Sequence, residues 1–362
     1  VLSKSGRIAQ AGGMSASPRI AWGILGTGSI AHTFARGLAR CRTGQLVAVG
    51  SRRQESADKF VAEFGAIRAH GSYEDLLADP GVQAVYISTP HPHHAEWSIK
   101  AARAKKHILC EKPLTLNHAD ALVVARAARE NGVFLMEAFM YRCHPQTERL
   151  IELISSGAIG RVGTIHATFS FRAPFNAEGR LFKNALGGGG ILDVGCYTTS
   201  VSRLIAGAAQ GLPFAEPEKI TGFAQFHPET GTDSYAVASA RFPGGILAQL
   251  AAGVGLTQGS GVRVFGTEGS LELPTPFVIA REGGASSIFL THNGTGRREE
   301  IVIKTDDYLY ALEADSVGDA LAQGKLESPH MTVADSLGNM AALDAWRASA
   351  GLVYESEQPT GG

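Results

Sequence analysis

Asp193 and Tyr197 stand four residues apart in a stretch that reads as helix, Ile191–Ala206, so both side chains are expected on one face. Oxidising a secondary alcohol or a hemiacetal takes a hydride from carbon and a proton from oxygen, and a phenol beside a carboxylate suits the proton. A phenol of ordinary pKa, near ~10, is a poor base at neutral pH. A neighbouring ammonium favours the phenolate and makes it a better one. Lys112, in the run Glu111-Lys112-Pro113 after an apolar strand, is the candidate ammonium. On this reading Tyr197 is the general base in oxidation and the general acid in reduction. Lys112 tunes it, and Asp193 orients Lys112 or a substrate hydroxyl.

Such chemistry needs a hydride carrier. Gly26-Thr27-Gly28-Ser29-Ile30-Ala31 fits G-x-G-x-x-A directly after the apolar run Ile20–Leu25. The first glycine allows a tight turn, the second a close approach of a pyrophosphate, and the alanine close helix packing, while the helix N-terminus faces the phosphates with its N–H groups. An acid about 20 residues farther on would bind the ribose hydroxyl of NAD. Here the second strand runs into Ser51-Arg52-Arg53 instead. A hydroxyl and two guanidiniums suit a 2′-phosphate, so NADP is expected over NAD.

Apolar strands alternate with helical stretches through the first ~140 residues, which describes β-α-β units on a doubly wound parallel sheet. The expected strands include Leu46–Val49, Ala84–Ser88, His107–Cys110 and Phe134–Ala138; the helices include Gln54–Phe64, Ala95–Ala104 and His118–Asn131. A helix Pro145–Ser155 and a strand Thr164–Phe171 follow. Residues 220–303 then read as successive strands, one of them Val278–Arg281, on a largely antiparallel sheet. Helices at 307–323 and 333–350 close the chain. The expected division is 19–140 and 141–362, the last helices packing back on the first part. The Ser-, Gly- and Ala-rich run Val1–Pro18 reads as a disordered tail or an expression-vector remnant, with Met14 as a natural start.

The chain has 362 residues, 33 basic against 34 acidic side chains, and a formal charge of −1. That balance argues against a nucleic-acid partner, and no apolar run reaches the length of a membrane span. The four cysteines contain no C-x-x-C pair. They are expected as reduced thiols in a cytoplasmic protein.

Glu111-Lys112-Pro113, the run Gly187–Leu192 leading to Asp193-x-x-x-Tyr197, the G-x-G-x-x-A turn and Thr89-Pro90-His-Pro-His-His94 together resemble the glucose-fructose oxidoreductase/inositol dehydrogenase (Gfo/Idh/MocA) family. The resemblance spans nearly the whole chain, from about Arg19 to Glu355. Tyr197, where that family often has histidine, is similar to the branch with NADP-linked xylose dehydrogenase and dimeric dihydrodiol dehydrogenase. Arg180-Leu-Phe182 and Glu137-Ala-Phe-Met-Tyr-Arg142-Cys-His-Pro145 resemble it too. The resemblance implies an N-terminal Rossmann domain and a C-terminal α/β domain on a large open sheet, with the cofactor between them. It places Thr89, Pro90, His94, Glu111 and Lys112 at the cofactor, His94 on the nicotinamide side.

His91, His93 and His94 lack the spacing of a structural zinc site, and no metal is expected. Arg142, His144, Arg172 and Arg180 flank the expected cleft as candidate substrate donors. Phe139, Phe169, Phe171 and Phe175 are candidates for its wall. The first expectation is an NADP-dependent dehydrogenase acting at C1 of an aldopyranose to give a lactone. A trans-1,2-dihydrodiol dehydrogenase and a non-catalytic NADP-sensing protein are the alternatives. An open sheet exposes a broad face, which predicts a homodimer or a dimer of dimers.

Overall fold

The computed structural model describes residues 19–65 and 68–357; the reading of Val1–Pro18 as a tail lies outside them. The first half alternates strand and helix. Its elements are β1 (Ile20–Leu25), α1 (Ser29–Leu38), β2 (Gly44–Gly50), α2 (Gln54–Phe64), β3 (Arg68–His70), α3 (Tyr73–Ala78), β4 (Ala84–Ile87), α4 (His94–Arg103), β5 (His107–Glu111), α5 (His118–Asn131) and β6 (Leu135–Ala138). The six strands form a parallel sheet in the order β3-β2-β1-β4-β5-β6. Chain direction across the sheet reverses between β1 and β4, the point where doubly wound sheets open a crevice for ligands. Local chemistry sets the helix ends. The Asn117 side chain caps α5 by accepting from the Asp120 N–H, and Gly132 ends the helix at φ 64°.

The second half begins with α6 (Pro145–Ser155) and β7 (Val162–Ser170), and a loop then leads to α7 (Cys196–Ala208). Seven strands follow: β8 (Lys219–Phe226), β9 (Asp233–Phe242), β10 (Ile246–Gly253), β11 (Ser260–Gly266), β12 (Gly269–Leu273), β13 (Gly284–His292) and β14 (Arg298–Thr305). They join β7 in an eight-stranded sheet ordered β14-β13-β12-β11-β7-β10-β9-β8. Neighbours are antiparallel apart from β7 and β10. The helices α8 (Leu309–Ala322) and α9 (Val333–Ala350) return to the first half, α8 against α1 and α9 against α5.

One face of the large sheet is covered by α6, α7 and α9. The alternation of β9 puts Ala236, Ala238 and Ala240 under that cover and leaves Val237 48% exposed on the other side. Phe223, Tyr235 and Leu247 stand exposed there with it.

Three elements depart from the sequence expectations. The three-residue edge strand β3 carries too little pattern to read. Val278–Arg281 is no strand: Phe277 and Ile279 are buried in alternation, but the chain there is irregular and Ala280 has φ 35°. The helix expected from Ile191 begins as a π-helical turn, Ile191–Gly195, before α7. Asp193 therefore lies in a wider turn than the one carrying Tyr197.

Candidate active site

A cavity of about 1080 Å³ is lined by residues of both halves of the chain. The β1–α1 turn lines one end of it. Gly26 holds φ 103°, a conformation L side chains rarely adopt. A Cβ at Gly28 would meet no protein atom within 4 Å, so that position faces open cleft. Gly28 gives α1 no side-chain cap and the first turn holds no acid, which leaves its N–H groups and positive dipole end for an anion. Thr27, Ser29 and Ile30 line the same wall, whereas Ala31 is fully buried beneath it. Ser51, Arg52 and Arg53 line the cleft at the end of β2 together with Thr33, Ser56 and Tyr73, and Arg52 reaches the Tyr73 hydroxyl. These donors fit a dinucleotide that carries an additional phosphate.

At the other end β5 delivers Glu111 and Lys112. The Lys112 ammonium donates to the Asp193 carbonyl at 2.6 Å and lies 3.3 Å from its Oδ1. Arg180 reaches the same oxygen at 2.9 Å. Burial alone would raise the Asp193 carboxyl, yet Lys112 and Arg180 hold it well below the usual carboxylate range. Burial also opposes the Lys112 ammonium, but Asp193, with Cys196 and Glu111, carries the net shift upward. Glu111 is buried, accepts from the Tyr86 hydroxyl, and is raised by desolvation.

Tyr197 is buried, 4% exposed. Its ring is flanked edge-on by Phe139 at 5.0 Å and Phe169 at 5.2 Å. Lys112 Nζ lies 5.1 Å from the ring centroid, while the hydroxyl donates to Met140 Sδ at 3.4 Å. The expectation that Lys112 lowers this phenol is corrected. Burial, reinforced by Tyr310, Glu111 and other acidic neighbours, pushes it well above 10. The lysine stands over the ring rather than at the oxygen, and its charge is turned to Asp193.

His94 lines the cleft with Thr89 and Pro90. Its ring nitrogens lie 2.8 Å from the Pro113 and Thr89 carbonyls. Burial lowers it to about 4, and the neutral ring has a single N–H, which donates to one of these two carbonyls. Buried His91 faces the Gly187 carbonyl at 3.2 Å and is lowered by desolvation to about 3.

The substrate donors expected from sequence separate. Arg180 reaches the cavity. Arg142 does not: it is buried in an ion pair with Asp335 of α9 and donates to the His330 carbonyl. His144 is turned inward as well, its Nδ1 accepting from the Gln146 N–H to cap α6. Arg172 lines a separate groove with Phe175 and His227. Phe169 and Phe171 line the cavity; Phe139 lies behind Tyr197, and Phe175 stacks on His227. The sequence reading missed Met140, Val278, Arg281 and Tyr310, which complete the wall. Met140 lay in a segment already singled out, but no local signal marked the other three.

The glycine turn, the Ser51–Arg53 strand end and the group of Lys112, Asp193 and Tyr197 line one cavity between the two halves of the chain. Residues 20–139 match the oxidoreductase family with an NAD-binding Rossmann fold, and residues 147–272 match the GFO/IDH/MocA C-terminal domain. A D-xylose 1-dehydrogenase (NADP(+)) of Haloferax volcanii is 33% identical over 93% of this chain and 97% of its own. The chain belongs to the GFO/IDH/MocA oxidoreductase family. A mouse trans-1,2-dihydrobenzene-1,2-diol dehydrogenase is 31% identical over 93% of this chain and 98% of its own. Among solved structures, the 3-ketoreductase KijD10 of Actinomadura kijaniata, in complex with NADP and TDP-benzene, superposes with a TM-score of 0.83. It is 28% identical, over 92% of this chain and 98% of its own.

Proposed function

We propose that this chain is an NADP-dependent oxidoreductase that interconverts a hydroxyl of a sugar or cyclic polyol and the corresponding carbonyl, C1 of an aldopyranose being the first candidate. The observation that carries this reading is the meeting of Lys112, Asp193 and Tyr197 at the inner end of the dinucleotide cradle. A protein that only senses NADP would have no use for a buried ammonium, carboxylate and phenol at that place. The NADP named for the Haloferax relative and present in the KijD10 structure supports the cofactor.

When bound, NADP supplies a two-electron hydride acceptor or, reduced, a donor. The chain's own residues would do the rest. The N–H groups of α1 and the turn Gly26–Ile30 hold the diphosphate, and Ser51, Arg52 and Arg53 hold the 2′-phosphate. Thr89, Pro90, His94 and Glu111 shape the nicotinamide end. Tyr197, kept protonated by burial, gives its proton to a carbonyl oxygen during reduction and receives it back during oxidation. Lys112 donates to the reacting oxygen, and Asp193, anchored by Arg180, fixes the ammonium. Phe169, Phe171, Met140 and Val278 give the substrate end an apolar side. That side favours a cyclic substrate with one apolar face and keeps a trans-dihydrodiol as the second reading. We place the division between cofactor and substrate parts at residue 140. The four cysteines, all free and buried, support a cytoplasmic setting.

A panel of aldopyranoses and cyclic diols, followed by NADPH absorbance with NAD as the control, tests the function. Each guanidinium–phosphate contact is worth about 1.5–3 kcal/mol. Arg52→Ala and Arg53→Ala should therefore each weaken NADPH binding by roughly 10- to 100-fold and change NADH binding little. Equal losses for both cofactors would overturn the assignment of these residues to the 2′-phosphate.

The exposed face with Phe223, Val237 and Leu247 supports a homodimer or a dimer of dimers that buries it. Light scattering should report at least twice the mass of one chain, and Phe223→Glu with Leu247→Lys should reduce it to one. A wild-type monomer would refute the assembly.

A further inference from the structure

The segment carrying Asp193 and Tyr197 starts from Gly187-Gly188-Gly189-Gly190, which has no side chain to cap it. Its first N–H groups need acceptors from elsewhere. They meet Asp233, the first residue of β9, which is fully buried. Asp233 Oδ2 accepts from the Ile191 N–H at 2.7 Å, and the carboxyl also faces the Gly190 N–H. Gly189, at φ 113°, leaves the room: a Cβ there would collide with the Asp233 carboxyl. The same glycine run is held by the Tyr354 hydroxyl, which donates to the Gly188 carbonyl at 3.0 Å, and by His91 at Gly187. Those two contacts hold carbonyls at its entry. Asp233 holds N–H groups at the start of the π-helical turn, two residues before Asp193.

We infer that Asp233 is a positioning residue for the reaction: a cap supplied by the large sheet that sets the rotation of the π-helical turn and so aims Asp193 and Tyr197 at Lys112. The inference rests on the proposed oxidoreductase function. It adds a residue from the far sheet that touches neither cofactor nor substrate. Tilting the turn moves the Asp193 carbonyl and carboxylate together, and both hold the same ammonium. Displacements of about 1 Å at a catalytic group cost on the order of 10²-fold in rate.

Asp233→Ala should lower kcat by roughly 10- to 100-fold with NADPH binding, read by fluorescence, unchanged. Asp233→Asn keeps an acceptor oxygen and should recover kcat to within about threefold, as Asn and Asp cap alike. In a Tyr197→Phe background Asp233→Ala should cost less than it does alone, because one of the two groups it aims is already gone. A crystal structure of Asp233→Ala without substrate should show Lys112 Nζ and Asp193 Oδ1 drawn apart from their 3.3 Å. Should Asp233→Ala fail to fold, Asp233→Ser, whose hydroxyl falls short of the Ile191 N–H, takes its place in all four measurements. Normal kcat in the alanine variant, no recovery with asparagine, full additivity with Tyr197→Phe, or an unmoved Lys112–Asp193 pair would each overturn the inference. The structural arm needs no substrate. A wild-type enzyme without turnover would therefore strike the proposed function and leave the role of Asp233 in holding the turn to be read separately.

Discussion

Tyr197→Phe is expected to bind NADPH as the unmodified chain does and to turn over roughly 10²- to 10⁴-fold more slowly, the range for a lost general acid or base. The substitution removes one oxygen. The ring keeps its packing against Phe139 and Phe169, and among the described residues the only hydrogen bond lost is the long one to Met140 Sδ. Folding should be close to unchanged, so the rate reports the proton rather than the scaffold. Near-normal turnover would remove Tyr197 from the role.

The direction of the phenol's shift adds a pH signature. Burial raises it well above 10, so it is fully protonated at neutral pH, the form that reduction requires. Oxidation requires the phenolate, whose fraction grows tenfold for each pH unit below the pKa. Reduction by the unmodified chain should thus be flat through neutral pH, and oxidation should rise steadily toward alkaline pH. The phenylalanine variant should lose that rise. A slope in oxidation that survives the substitution would assign the proton to another group.

Much of this arrangement is legible in local sequence, for a physical reason. Helices such as α2, α5, α6 and α9 end where caps and glycines end them, and caps act within a few residues. The G-x-G-x-x-A turn and the Ser51-Arg52-Arg53 strand end also bear their chemistry on their face. The unread parts depend on partners far along the chain. Arg142 looks like a cleft residue until Asp335, nearly two hundred positions on, takes its charge. Arg281 and Tyr310 reach the cavity because an irregular segment and the start of α8 fold back on the cofactor half, and nothing nearby announces it. The Tyr197 phenol went the same way. Its place after an apolar strand made Lys112 the candidate neighbour, but only the fold shows that burial outweighs the charge and that the charge is already spent on Asp193.

That commitment gives Lys112 the second large effect. In Lys112→Met the Asp193 carboxylate, itself only 5% exposed, keeps Arg180, whose side chain is 55% exposed, as its one ion-pair partner among the described residues. Breaking a buried pair costs about 3–5 kcal/mol, and with Arg180 retained the low end is expected, readable as a fall in the denaturation midpoint. Turnover should fall by about 10²- to 10³-fold, the cost of losing a preorganised donor at the reacting oxygen. A double variant separates the two losses. Lys112→Met with Asp193→Asn removes the stranded charge and should regain most of the stability, yet none of the activity. Lys112→Arg keeps the charge, but a planar fork replaces a compact ammonium, so it should hold stability better than it holds rate. If the double variant recovered turnover together with stability, Lys112 would be a structural partner of Asp193 alone, and the hydrogen bond to the reacting oxygen would have to come from another residue of the cavity.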